Sequence, residues 1–217
     1  LGMGRSDKPT DIAYYDFLVH YDRLDAFVEE LELSDIHLFV QDWGSILGLR
    51  YAGLNPEKFA AIAVGNGSLP VLPEEATVPE PENPDVPNDD LESLFADMPA
   101  QQPSLYDGCD PLLPAGDFGV WVEYSMTATA FTASEVVEAM TWFDLPDAEE
   151  AAYDAPFPSR TYMAGPRTFP SHINDLPGLN EEARAGLEAF DKPFLTIWAA
   201  NDPGNLGQCA TQDDLIC

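Results

Sequence analysis

Apolar positions follow two patterns along this chain. Tyr14, Phe17, Leu18, Tyr21, Leu24, Phe27, Val28 and Leu31 recur at three- and four-residue spacing. That period predicts a helix beginning near Ala13, capped by Thr10 or Asp11, with one apolar stripe. By contrast "IHLFV" (36–40), "FAAIAVG" (59–65) and "FLTIWA" (194–199) are continuous apolar runs of strand-forming residues bounded by polar ones. They predict three buried strands. Between the first two, a tight turn "QDWGS" leads into a helical segment over 46–54, stopped by Asn55 and Pro56. Strand, helix and strand joined by short connections form a βαβ unit of a parallel sheet, so the predicted class is α/β.

The pattern breaks after Ser68. "LPVLPEEATVPEPENPDVPNDDLESL" is rich in Pro and acid. Repeated Pro removes backbone donors, which predicts an extended, solvated excursion. Short helical stretches follow at 118–131, at 133–143 with Ser134 as a cap, and at 147–155. A Pro-broken linker is expected over 155–170, then a helix in "LNEEARAGLEAF" with Asn180 as its cap. The organisation predicted is a core part over 1–68, a mainly helical insertion over 69–178, and a return to the core over 179–217.

Composition changes this picture mainly through charge. The 217 residues include 39 acidic and 9 basic side chains, a formal net charge of -30, while 45% of residues are apolar. The apolar share supports a packed core. The charge would repel phosphate backbones and anionic bilayers, which argues against nucleic-acid and membrane partners. No run approaches the roughly 18 apolar residues of a membrane span. Cys109, Cys209 and Cys217 form neither a disulfide framework nor a zinc spacing, so a reducing cytoplasm is expected. Only Lys8, Lys58 and Lys192 are lysines. Few lysines and many carboxylates suit a salt-rich habitat, where screening relieves self-repulsion. The chain opens at Leu1 inside "LGMGRSDKP", without a signal peptide, and a partial sequence cut at both termini is expected.

The chemistry concentrates in the turn after the first strand, which puts Asp42 at its apex. In a nucleophile elbow such a turn exposes the attacking side chain above the sheet, and a small residue two positions on, here Gly44, lets the helix approach. The helix N-terminus then lends its N–H groups to developing negative charge. Ser45 comes three positions too late to be the exposed nucleophile, which disfavours a serine esterase. A carboxylate nucleophile attacks carbon and forms an ester, which suits alkyl halides or epoxides. From "DWG" alone, a helix-capping Asp is an equal alternative.

With "GRSDKP", "VQDWG", "FAAIAVGNGSL", "MTWFDLPDAEEAAYDAPFP", "YMAGPRTFP" and "FLTIWAANDPGN", the chain resembles the haloalkane dehalogenases of the α/β-hydrolase superfamily over most of its length. The cap stretch points to the subgroup with a halide-binding Trp in its cap. The resemblance implies an α/β-hydrolase fold, a mostly parallel sheet with a helical cap insertion. It makes Asp42 the nucleophile that displaces halide and becomes an alkyl ester. It makes Trp43 and Trp142 the halide donors, and the Trp43 backbone N–H one oxyanion-hole donor. Asp202 becomes the acid that orients a general-base His, and Asn66 a supporting hydrogen-bonding residue. Read without the resemblance, the two Trp are core residues and Asp202 an ordinary turn acid. The implied substrate is a short neutral haloalkane, with water consumed and halide released. No metal or organic cofactor is implied, and a monomer is expected. Two departures stand out. Ala139 replaces an expected aromatic cap residue, and the Pro-rich segment after Ser68 is unusually acidic. His20, His37 and His172 all lie where a surface or structural role is expected, so no residue fills the place of the base. The His-Gly-x-Pro loop of the other oxyanion donor is also missing. Both absences agree with a truncated sequence, and the chain as given is expected not to turn over. Two rivals remain. One is an epoxide hydrolase with the same Asp and acids among Tyr106, Tyr124, Tyr153 and Tyr162. The other is a non-catalytic protein on the same fold.

Overall fold

The computed structural model describes residues 1–76, 89, 91, 117–141 and 143–199. These residues cluster into two compact units. One holds Leu1–Asp16 with the described residues of 78–104 and 112–174; the other holds the described residues of 17–77 and 175–217.

The sheet lies in the second unit. Strands β1 (Ile36–Gln41), β2 (Phe59–Gly65) and β3 (Phe194–Ile197) pair in that order, both pairs parallel. In register, Val40 faces Val64 and Gln41 faces Gly65, while Gly65 faces Ile197. All three predicted strands are present, but they are not buried on both sides. Val40, Ile62 and Val64 are buried, whereas Phe39, Leu195 and Ile197 are 67%, 56% and 50% exposed. Side chains alternate across a strand, so among the described residues one face carries the buried side chains and the other the exposed ones.

Helix α1 (Phe17–Glu30) precedes β1, and helix α2 (Asp42–Leu54) connects β1 to β2. Asp11 does cap, but it caps a 3-10 turn, Ile12–Tyr15, by accepting the Ala13 N–H. The α-helix itself starts only at Phe17, and of its apolar stripe Phe17 and Val28 are buried while Leu18, Phe27 and Leu31 are exposed. Helix α2 begins four residues earlier than its apolar pattern suggests, directly after the strand. Asn55 ends it, its side chain donating to the Tyr51 carbonyl at 3.0 Å.

The close approach of α2 to the sheet is made by Gly48, not by Gly44. A Cβ at Gly48 would sit 2.6 Å from Val40 Cγ1, whereas one at Gly44 would meet nothing within 4 Å.

The first unit holds α3 (Asp117–Thr127), α4 (Ala133–Ala139), α5 (Asp147–Asp154) and α6 (Ala164–Thr168), and a core of Tyr124, Ala128, Phe131 and Met163 on which Trp121 of α3 and Ala133 and Val136 of α4 pack. Two expectations fail here. The N-cap of α4 is Thr132, and Ser134 instead gives its N–H and hydroxyl to the Asp154 carboxylate at 3.0 and 2.7 Å. The expected linker is largely helical, with 3-10 turns Arg160–Met163 and Phe169–Asp175 flanking α6. Pro166 sits in the first turn of α6, where backbone N–H groups have no partner within the helix in any case.

Helix α7 (Glu181–Glu188) packs on α2 in the sheet unit. Asn180 is its N-cap by position but makes no capping bond; its amide donates to Pro70 O at 2.8 Å. Among the described residues no helix is long and apolar enough to cross a membrane.

Candidate active site

Asp42 is the first residue of α2, directly after the last residue of β1. Its φ is +49°. For a residue with a side chain, that left-handed conformation costs on the order of 1–3 kcal/mol. The strand enters at Gln41 in extended geometry, φ -149° and ψ 150°, and the chain reverses into the helix at Asp42. The cap position belongs to Gln41, whose side chain makes no capping bond. Asp42 is therefore at the bend itself rather than in the cap place, and its carboxylate is borne at the positive end of the α2 dipole. Trp43 follows it, half-buried, in the first turn.

The loop after β2 is tied to this bend. The Asp42 N–H donates to the Asn66 carbonyl at 3.2 Å, and the Asn66 N–H donates to the Ile197 carbonyl at 2.9 Å. The Asn66 side-chain oxygen accepts the Ala199 N–H at 2.9 Å. Asn66, with φ +40°, thus joins the carboxyl ends of all three strands. Asn tolerates this conformation because its short polar side chain can bond locally.

Ser45 is fully buried. Its hydroxyl lies 2.5 Å from the Asp42 carbonyl and 3.1 Å from the Ser68 carbonyl, and it accepts the Ser68 N–H at 2.8 Å. A hydroxyl so enclosed is not an exposed nucleophile. Sequence reasoning read Ser45 only negatively and did not find this bridge. The "GNGS" run was the available signal, because a Cβ at Gly67 would lie 2.5 Å from both Ser45 Cβ and Oγ.

None of the three histidines is on the bend or on the 66–68 loop. His20 is in α1. His37 is exposed in β1, five residues and roughly 16 Å of strand before Asp42. His172 is buried in the 3-10 turn Phe169–Asp175, edge-on to Phe169 with ring centroids 5.3 Å apart. Asp202 and Trp142 fall outside the described residues. Among the described residues no group of His, Cys, Asp or Glu is arranged to hold a metal ion.

Comparison with known proteins extends the geometry. Curated relatives include a protein of Mycobacterium bovis named haloalkane dehalogenase 1, 33% identical over 208 residues, covering 94% of this chain and 57% of the relative. A Psychrobacter cryohalolentis protein named haloalkane dehalogenase is 30% identical over 211 residues, covering 95% of this chain and 57% of its own length. The chain thus spans little more than half the length of the curated relatives it matches. Among solved structures, the haloalkane dehalogenase DbeA of Bradyrhizobium elkani superposes with a TM-score of 0.63 at 23% identity, over 99% of this chain and 66% of that one. DpaA of Paraglaciecola agarilytica gives 0.61 at 18% identity, over 99% and 70%. A family model described as alpha/beta hydrolase fold matches residues 1–206. The strand–Asp42–helix bend on a parallel sheet and this match agree: the chain belongs to the α/β-hydrolase fold family.

Proposed function

We propose that the protein is a haloalkane dehalogenase, and that this chain carries its nucleophile. The observation that supports this most is the carboxylate of Asp42 at a left-handed bend between a strand end and a helix N-terminus. One carboxylate oxygen attacks the halogen-bearing carbon in line. The carbon–halogen bond breaks as the C–O bond of an alkyl ester forms, and halide leaves with the electron pair. The indole N–H groups of Trp43 and Trp142 are pure donors, suited to a departing halide. Water then hydrolyses the ester. The Trp43 backbone N–H lies in the first turn of α2, at the positive end of the helix dipole, and stabilises the tetrahedral oxyanion. Asp202 orients the general base of the second step. Asn66 keeps the three strand ends in register beneath the bend. Names of relatives support the substrate class, and the nucleophile type supports chemistry at saturated carbon. The same reading takes the protein as a cytoplasmic monomer acting on small neutral haloalkanes.

The test is exposure of the chain to 1,2-dibromoethane, followed by intact mass and peptide mapping. Uptake of one alkyl group on Asp42, absent in Asp42→Asn, is expected, with bromide released in equal amount. A hydroxyalkyl ester formed on Asp42 from styrene oxide, without bromide release from the dihalide, would replace this reading by an epoxide hydrolase. Light scattering and cell fractionation check the monomer and the compartment. Reading the coding sequence beyond Cys217 for a His-bearing loop checks the source of the base.

A further inference from the structure

We propose that Ser45 is a positioning residue for Asp42. Its buried hydroxyl pins the backbone that aims the carboxylate, a role that rests on the reading of Asp42 as the nucleophile. The conformation of a residue is set by the two peptide planes flanking its Cα. At Asp42 both planes are tied to the same loop. The preceding plane gives its N–H to Asn66 O at 3.2 Å. The following plane presents the Asp42 carbonyl to Ser45 Oγ at 2.5 Å, and that oxygen accepts the Ser68 N–H at 2.8 Å. The single hydroxyl proton goes to the Asp42 carbonyl or to the Ser68 carbonyl, 3.1 Å away, the shorter distance favouring Asp42.

This clamp faces a real opposing force. A side chain at φ +49° is strained and relaxes unless its surroundings over-determine it. Helix hydrogen bonds give no help on the N–H side of the bend, because the first N–H groups of α2 have no partners within the helix, and on the carbonyl side Ser45 adds a bond that ties the plane to the 66–68 loop. The fold instead makes room for the clamp. Position 67 is Gly where any Cβ would collide with Ser45, and Ser45 itself is 0% exposed, so water cannot replace the hydroxyl. Ser45 touches no substrate atom in this scheme; it acts through the peptide of Asp42.

The experiment compares the full chain with Ser45→Ala and Ser45→Cys, using Ser125→Ala as a control. Ser125 is likewise fully buried, with its hydroxyl on the Val122 carbonyl at 2.8 Å. Single-turnover ester formation with 1,2-dibromoethane is followed by mass across concentrations, alongside hydrogen exchange of the Asp42 and Ser68 amides. Ser45→Ala is expected to slow the saturated rate at least tenfold and to leave the half-saturating concentration within twofold. Exchange at both amides should quicken at least tenfold. Ser45→Cys should fall between, and Ser125→Ala should change neither rate nor exchange at these amides. A saturated rate within twofold of the parent, or unchanged exchange at both amides, overturns the proposal. If the parent chain takes up no alkyl group, the nucleophile reading fails, and the exchange arm alone decides whether Ser45 holds the bend.

Discussion

Replacing Gly53 by Ala tests how α2 is held. Gly53 is the penultimate residue of α2 and faces Ala183 of α7; Gly186 of α7 faces Gly53 in return. A Cβ on Gly53 would overlap the Ala183 carbonyl oxygen and lie 2.7 Å from its carbon and 2.9 Å from its Cα. One on Gly186 would overlap the Gly53 oxygen and lie 2.8 Å from its carbon. Carbon atoms pack best about 3.5–4.0 Å apart, so the helices must part by roughly 1 Å. The obstacle is backbone and cannot rotate away. Overpacking of this kind costs about 1–3 kcal/mol, and here the upper end applies. Parting also stretches the bonds from the Arg50 guanidinium to Leu179 O and the Asn180 side chain, which span the same junction. Weakening a charged hydrogen bond adds about 1 kcal/mol or more. Ala returns about 1 kcal/mol through helix propensity. The net loss is about 2–3 kcal/mol, or roughly 5–10 °C in Tm for a domain of this size. Gly44→Ala is the counterpart, with no atom within 4 Å of the new Cβ, and should gain up to about 1 kcal/mol. Urea unfolding by circular dichroism measures both. A Gly53→Ala chain as stable as the parent would refute the close crossing.

Asp42→Asn should abolish ester formation while keeping the unfolding free energy from urea titration within about 0.5 kcal/mol of the parent, because Asn also accepts a left-handed backbone. Burial, reinforced by Asp25, pushes the Tyr51 phenol above its ordinary 10.0. The folded chain therefore holds that proton more tightly than the unfolded one. The stabilisation is intact below pH 10 and is lost as pH rises toward the folded value, so urea midpoints should fall above pH 10, less steeply in Tyr51→Phe. The Arg167 guanidinium forks onto Ala128 O at 2.8 Å and Met126 O at 2.6 Å. Arg167→Lys offers a point charge in place of the fork and should lose about 1.5–3 kcal/mol in the same unfolding assay. With a net charge of -30, the thermal midpoint should climb between 0.1 and 1 M KCl, as the screening length shrinks from about 10 to about 3 Å. A higher midpoint in dilute buffer would remove the argument for a saline habitat.

Strand positions were legible because runs such as "FAAIAVG" carry their own signal, and β2 occupies Phe59–Gly65 as read. The exposure of Phe39, Leu195 and Ile197 among the described residues was not, because a continuous apolar run looks the same whether one or both sides are covered. The start of α2 was hidden by its own chemistry. Asp, Trp, Gly and Ser read as a turn by composition, and the left-handed backbone at Asp42 is a tertiary property held by Asn66 and Ser45. The 155–170 stretch was misread because prolines punctuate it, although Pro166 falls where a helix accepts one. The bend at position 42 was readable from the order strand, Asp, helix. The clamp at Ser45 was not, because nothing in a one-letter string shows where a buried hydroxyl points.

The bend at position 42 also limits which letters of the residue alphabet can stand there. A β-branched side chain at positive φ is a genuine outlier, so Thr, with a hydroxyl that could in principle attack, is shut out by the main chain before its reactivity matters. Gly, Asn and Asp pass, and of these only Asp bears an anionic oxygen. A change to Asn keeps this backbone in one conservative step, whereas a change to Thr requires the loop at 66–68 to be rebuilt first.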